Sequence, residues 1–179
     1  MKEILLSPHA ASLSQSMRDL GYSLETAIAD LIDNSITAGA ENIRIFLEIK
    51  DAEEAYLVII DDGSGMTDDE LLEAMRPGSR NPRERRDADD LGRFGLGLKT
   101  ASFSQCKSLT VVSRKNRDLV AAQWDLDLIA SRNEWIATVP AKDEIGNMPY
   151  LDTLGSHGTY ILWQKLDRLL ENSGPERSR

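Results

Sequence analysis

Asp30 and Asn34 stand one helical turn apart in a segment, Leu24 to Ala38, that reads as an α-helix. Its apolar positions are Leu24, Ala27, Ile28, Leu31 and Ile32, with Ser35 closing the series. On a 3.6-residue period they form one buried stripe, and the Asp30/Asn34 face borders it. A carboxylate and a carboxamide are thus held side by side at the rim of a core, although a solvated helix edge would give the same pattern. A second carboxylate, Asp61, follows the apolar run Tyr56 to Ile60 and opens Asp61-x-Gly63-x-Gly65. A carboxylate at a strand end can accept from an exocyclic amine such as adenine carries, and the glycines allow a sharp turn and close approach to a flat ring. An ordinary Asp-Gly turn is the plainer alternative.

Gly92-Arg93-Phe94-Gly95-Leu96-Gly97-Leu98-Lys99 ends a polar loop and opens a helix. Backbone N–H groups freed by glycine at a helix N-terminus converge on anions, and Lys99 adds a point charge suited to phosphate. A flexible joint would also use these glycines. The spacing is neither the dinucleotide fingerprint nor the Walker pattern. Gly158-Thr159 begins an alternating strand, Tyr160 to Trp163. The Thr159 hydroxyl could pair with Asp61 or with a water beside a base, or Thr159 could simply favour a strand.

The elements that must position these groups follow from patterning. Residues 1 to 9 read as an extended lead-in, and Ser12 to Leu20 as a short helix ended by Gly21. Ser23 is placed to cap the long helix and Gly39 to stop it. Ile43, Ile45, Leu47 and Ile49 alternate with Arg44, Phe46 and Glu48, the period of a half-buried strand. Tyr56 to Ile60 reads as a central strand. Thr67-Asp68-Asp69-Glu70 is a capping box, with Met66 and Leu71 placed as a hydrophobic staple, for a helix that ends before Pro77. Pro77 to Asp90 is a loop without apolar period, and Gly97 to Gln105 a helix. Leu109 to Ser113 and Leu119 to Trp124 flank a turn at Lys115-Asn116-Arg117, Trp135 to Val139 is a candidate strand, and Gly158 to Trp163 leads into Leu166 to Leu170. Helices alternating with hairpin-linked strands predict an α+β sandwich with helices on one sheet face.

Composition narrows the function classes. A chain of 179 residues is most economically one domain, residues 1 to 170, with a polar tail over 171 to 179 that reads as a truncation point. The single cysteine, Cys106, excludes an intramolecular disulfide and a Cys-based zinc site, which suits the cytoplasm. No apolar run reaches the ~20 residues of a membrane span. A net charge of -9 argues against direct nucleic-acid contact, the Arg-rich stretch Arg76 to Arg93 being diluted by Glu84, Asp87, Asp89 and Asp90. Cys106 and Trp124, Trp135 and Trp163 are expected in the core or at its edge, and His9 and His157 in structural roles.

Taken in order, the helix Asp-x-x-x-Asn, the Asp-x-Gly-x-Gly, the loop, the Gly-x-x-Gly-x-Gly and the Gly-Thr strand resemble the GHKL ATPases, the Bergerat-fold group of gyrase-type topoisomerases, heat-shock chaperones, histidine kinases and MutL. The resemblance runs from about Ser7 to Leu170. Asp33-Asn34-Ser35 with Ala38-Gly39-Ala40, and Phe94 to Lys99, look like the MutL and MORC branch. It implies a two-layer α/β sandwich with a mixed, mostly antiparallel sheet. It implies ATP and Mg²⁺ as cofactors, Asp30 as general base and Asn34 as the Mg²⁺ ligand. Asp61 would bind adenine, with Gly63, Gly65, Met66 and Thr159 around the base. Gly92, Gly95, Leu96, Gly97 and Lys99 would hold phosphate beneath a lid, Pro77 to Leu91. Self-association on ATP binding and further domains of a longer chain are implied too, as a switch or dimerisation motor. One departure stands out: the usual base is Glu, and Asp30 is shorter by roughly 1.5 Å, which predicts slow hydrolysis in isolation. A GHKL-type protein kinase or a non-hydrolysing nucleotide sensor are the alternatives.

Overall fold

The computed structural model describes residues 8–20, 22–50, 54–77 and 97–168. The lid beyond Pro77, the glycine-segment residues Gly92, Gly95 and Leu96, and the tail lie outside the described residues. Five strands form one sheet: β1 (Ile43–Glu48), β2 (Tyr56–Asp61), β3 (Ser108–Lys115), β4 (Asp118–Asp125) and β5 (Gly158–Gln164), in the order β1-β2-β5-β3-β4. Every pairing is antiparallel among the described residues, with no parallel ladder among them. The β3–β4 hairpin closes through Asn116 and Arg117, both left-handed at φ 53° and 74°, as a two-residue turn matched to strand twist requires.

One face carries α1 (Ala10–Arg18), α2 (Leu24–Thr37), α3 (Asp68–Met75), α4 (Gly97–Gln105) and α5 (Leu126–Arg132). Leu31 of α2 and Phe103 of α4 pack there on Leu57, Ile59, Leu109 and Trp163, all fully buried. The tryptophans behave as core: Trp163 Nε1 donates to Ser102 Oγ at 2.8 Å, Trp124 Nε1 to the Met75 carbonyl at 3.2 Å, and Trp135 packs edge-on against Trp124. Cys106 is fully buried, and burial pushes its thiol pKa up, so it stays protonated.

The helix ends follow local chemistry. Ser23 Oγ accepts from Thr26 N–H, Thr67 and Glu70 form the reciprocal capping box, and Gly39 takes φ 75° beyond α2. The short first helix sits two residues earlier than predicted, ending at Arg18. Trp135 to Val139 is not a strand. Only Thr138 pairs, with Gln123, before Pro140 removes the next backbone donor.

Two further findings depart from the simple sandwich. The second sheet face is also covered, by α6 (Lys142–Gly146) and a 3-10 turn at Leu151–Thr153. Ile145, Leu151 and Leu154 pack there on Val58, Ile60, Val112 and Tyr160. On β1 the face with the apolar alternation is the exposed one, Ile45 at 42% and Leu47 at 45%. The other face is covered instead: Phe46 stacks on Tyr150 at 4.0 Å and Glu48 accepts from the Tyr150 hydroxyl. β1 is an edge strand, and its helix-side neighbours reach Ile43 but not the residues beyond it.

Candidate functional site

The C-terminal end of β2 delivers Asp61 into a buried pocket of donors. Its carboxylate, 6% exposed, takes three hydrogen bonds. Oδ1 accepts from Gly63 N–H at 2.9 Å and Thr159 N–H at 3.1 Å, and Oδ2 accepts from Ser35 Oγ at 2.9 Å. Each comes from a different element. Thr159 is Asp61's cross-strand partner on β5, and Ser35 projects from α2. A carboxylate offers about four lone-pair sites. With three engaged, Oδ2 keeps one acceptor position in a fixed direction, the complement of an amine donor.

The backbone around Asp61 is tied down from every side. Ser64 N–H donates to the Ala38 carbonyl, and Asp62 accepts from both Glu41 and Asn42 N–H at 2.8 Å. The Asn42 carboxamide and these amides hold the Asp62 carboxyl down at about 2. Met66 N–H donates to Ser113 Oγ at 2.8 Å, which itself donates to the Gly158 carbonyl at 3.0 Å. His157 Nδ1 sits 2.8 Å from the Gly63 carbonyl, so that nitrogen carries the proton. A Cβ on Gly63 would lie 2.9 Å from Ala38 Cβ, and one on Gly65, at φ +64°, would lie 2.1 Å from the Arg114 carbonyl oxygen. Both glycines are therefore demanded by the chain's own close packing.

Asp30 and Asn34 share a face of α2, with Asp30 half-buried and Asn34 exposed. α2 packs against α4, and Asp30 Oδ2 lies 3.9 Å from where a Gly97 Cβ would sit. The helix pair thus brings the Asp30 carboxylate beside the first residue of α4. Lys99, one turn into α4, is 1% exposed, and its ammonium donates to the Arg76 carbonyl at 2.5 Å, where the chain leaves α3.

So Asp61, Gly63, Gly65, Met66 and Thr159 form one cluster, joined to α2 through Ser35, while Asp30 faces Gly97. Three contributors, Ser113, His157 and Tyr22, are absent from the motif reading, and a fourth, Ser35, stands in it without a role. Ser35 counts in the sequence as a stripe member, yet a hydroxyl at a buried stripe position signals a polar partner. Ser113 and His157 lie on β3 and before β5 with nothing local to mark them. Tyr22, just before the α2 cap, has its pKa raised by burial first and then by the Asp30 carboxylate it meets. Gln105 holds the Tyr22 carbonyl at 2.9 Å.

The residues present also suit a hard cation. The Asn34 carboxamide is exposed, and among the described residues no cluster of three or more His, Cys, Asp or Glu could hold a metal unaided. Mg²⁺ takes one or two protein oxygens and completes its shell from water and phosphate, so the exposed carboxamide oxygen of Asn34 is a donor of the kind it would use.

Comparisons with known proteins identify the family. Residues 22–159 match the family model described as histidine kinase-, DNA gyrase B-, and HSP90-like ATPase. The chain is 35% identical over 97 residues to ATPase morc-1 of Caenorhabditis elegans, covering 54% of this chain and 11% of that protein. It is 30% identical over 136 residues to the chaperone protein HtpG of Paramagnetospirillum magneticum, 70% of this chain and 20% of HtpG. Against the DNA mismatch repair protein MutL of Chlorobaculum tepidum it is 38% identical over 92 residues, 50% of this chain and 14% of MutL. The matched regions thus span a fifth or less of these relatives' lengths. With most of its length matched, and with the Asp61 cluster and the α2–α4 pair in place, the chain belongs to the GHKL group of ATP-binding ATPases.

Proposed function

We propose that this chain is the nucleotide-driven module of a longer protein. In this reading it binds ATP with the adenine amine on Asp61, hydrolyses it slowly with Mg²⁺, and self-associates when the nucleotide is bound. The observation that carries it is the spare acceptor site on a buried carboxylate otherwise saturated by Ser35, Gly63 and Thr159. Burial makes an adenine N6 donor count for more there than it would in water, and Met66, half-buried at the same turn, supplies an apolar surface for the ring.

The phosphates would run toward Gly97 at the N-terminus of α4, and Gly92, Gly95 and Leu96, which precede it in the sequence, would add backbone donors. Asn34 would be the residue that holds Mg²⁺, which would supply positive charge to offset that of the phosphates. Asp30, beside Gly97, would orient the attacking water and accept its proton at a carboxylate oxygen. Lys99, whose ammonium meets the Arg76 carbonyl at the end of α3, would add positive charge beside the phosphates and link the nucleotide to the chain just before the lid. A cytoplasmic setting, suited to the lone buried Cys106, is part of the reading. So are the partner domains supplied by the rest of a longer chain.

The short Asp30 favours one variant, a sensor that binds nucleotide and rarely turns over. Phosphate release separates the two. The expected result is slow release by the wild-type chain and none by Asp30→Asn, with ATP affinity retained. Equal release by both would remove Asp30 from the base role, and release by neither would leave the sensor.

A further inference from the structure

Among the described residues β1 has a strand on one side only. Asp62 N–H donates to the Asn42 carbonyl, which fixes the parity of the β1–β2 ladder. Asn42, Arg44, Phe46 and Glu48 turn their backbone groups toward β2, and Ile43, Ile45 and Leu47 turn theirs away. An open edge of this kind is a template for another strand, and proteins usually blunt it with lysine, proline or a bulge. β1, Ile-Arg-Ile-Phe-Leu-Glu, has none of these, and its six residues pair with β2 in unbroken register. Ile45 and Leu47 stand beside Ile59 and Leu57, on the face that carries the core, yet they are exposed. Ile49 continues that stripe at 52% exposed.

The strand is its own complement when reversed about Phe46. Laid antiparallel against a second copy in that register, Ile45 meets Leu47, Ile43 meets Ile49 and Arg44 meets Glu48. The Ile45–Leu47 pairs join residues whose backbone groups point outward, so they are the pairs that exchange hydrogen bonds. Arg44 and Glu48 then fall in the closer, non-hydrogen-bonded pairs, where opposite charges stabilise a sheet. Neighbouring registers lose this match. Centring on Arg44 or Glu48 sets like charges opposite each other, and centring on Ile45 or Leu47 sets a charge opposite Phe46. Both charged side chains are held in place with capacity to spare. Arg44 gives one N–H to the Thr153 carbonyl, and Glu48 one oxygen to the Tyr150 hydroxyl.

We propose that β1 pairs antiparallel with β1 of a second copy about a two-fold axis at Phe46, joining two five-stranded sheets edge to edge. The contact buries Ile45 and Leu47 of each copy against the other and closes two Arg44–Glu48 pairs. It uses neither the Asp61 cluster nor the Asp30 face and needs no nucleotide, so it goes beyond the nucleotide-linked association proposed above.

The test is sedimentation velocity of the full chain without nucleotide, at concentrations up to about 0.5 mM, because an edge this short makes a small interface. Wild type is expected to pass from monomer to dimer within that range. Arg44→Glu and Glu48→Arg should each weaken the dimer at least about tenfold, since symmetry makes every substitution act twice. An equimolar mixture of the two variants should recover wild-type association, because one chain then presents only acidic and the other only basic side chains at positions 44 and 48. Leu47→Lys, at an exposed position, should also break the dimer while leaving the Thr153 and Tyr150 contacts untouched. A chain that stays monomeric throughout, with its edge covered by another of its own segments or left for a different protein, would overturn the inference. So would a dimer indifferent to Leu47→Lys and both charge reversals, or a mixture of folded variants that associates no better than its components.

Discussion

Replacing Asp61 by asparagine should do more than weaken binding; it should change which base is preferred. Oδ1 accepts from two backbone N–H groups, Gly63 and Thr159, whose positions are fixed by the β2 end and the β5 ladder. A carboxamide would therefore keep its oxygen there and turn its NH₂ to the Oδ2 position. Ser35 Oγ can adapt, since it also lies 3.2 Å from the Leu31 carbonyl and can accept from the new NH₂. The adenine amine cannot adapt, because donor would face donor. The lost charge-assisted hydrogen bond is worth about 1.5–3 kcal/mol, roughly 10- to 150-fold in ATP affinity. Hypoxanthine carries a carbonyl where adenine carries the amine, so the NH₂ would now have an acceptor. Calorimetry with ATP and ITP on both proteins measures the ratio of affinities. Wild type should favour ATP, and Asp61→Asn should shift the ratio toward ITP by at least about tenfold, in line with a single hydrogen bond to a charged group. An unchanged ratio in a folded Asp61→Asn protein would refute the placement of adenine on Oδ2.

Three other consequences follow. Tyr22→Phe removes the hydroxyl that meets Asp30; turnover should fall about fivefold, the worth of one ordinary hydrogen bond, with ATP affinity unchanged, and steady-state kinetics that leave turnover intact would detach Tyr22 from the site. The same contact predicts that in Asp30→Asn the Tyr22 phenol ionises closer to its ordinary value of 10.0, read by ultraviolet titration, although burial keeps part of the shift. Asp62 titrates in the folded chain at about 2 against 3.8 when unperturbed, so its stabilising contribution is complete above about pH 4 and is lost as pH falls through 2. Thermal melts across that window should show a shallower acid loss in Asp62→Asn than in wild type, and parallel curves would show that the Asn42 contact does not persist in solution.

Where a residue's partner lies within a few positions, the sequence was enough to place it. The Thr67–Glu70 box, the Ser23 cap and the Asn116-Arg117 turn are such cases, and α2 with its Asp30/Asn34 face needed only one period. The face of β1 was not readable, because alternation shows that a strand has two faces and not which one a later segment will cover; Tyr150, far along the chain, decides it. Asp61 was recognisable from its motif, whereas the donors that fix its direction were not. Thr159 acts through its backbone N–H rather than the hydroxyl that drew attention to it, and Ser35 passes for a core position until its partner is known. Covering of the second face by Ile145, Leu151 and Leu154 was hidden for a related reason, since elements as short as α6 carry too little period to reveal which side they bury.

The central claim is that the Asp61 cluster is an adenine site. Isothermal calorimetry of the chain with ATP in the presence of Mg²⁺, repeated with Asp61→Asn, tests it most directly. The account predicts saturable binding at one site per chain, lost or weakened at least about tenfold by the substitution. No binding of ATP to the folded wild-type chain, or binding indifferent to Asp61→Asn, would contradict it.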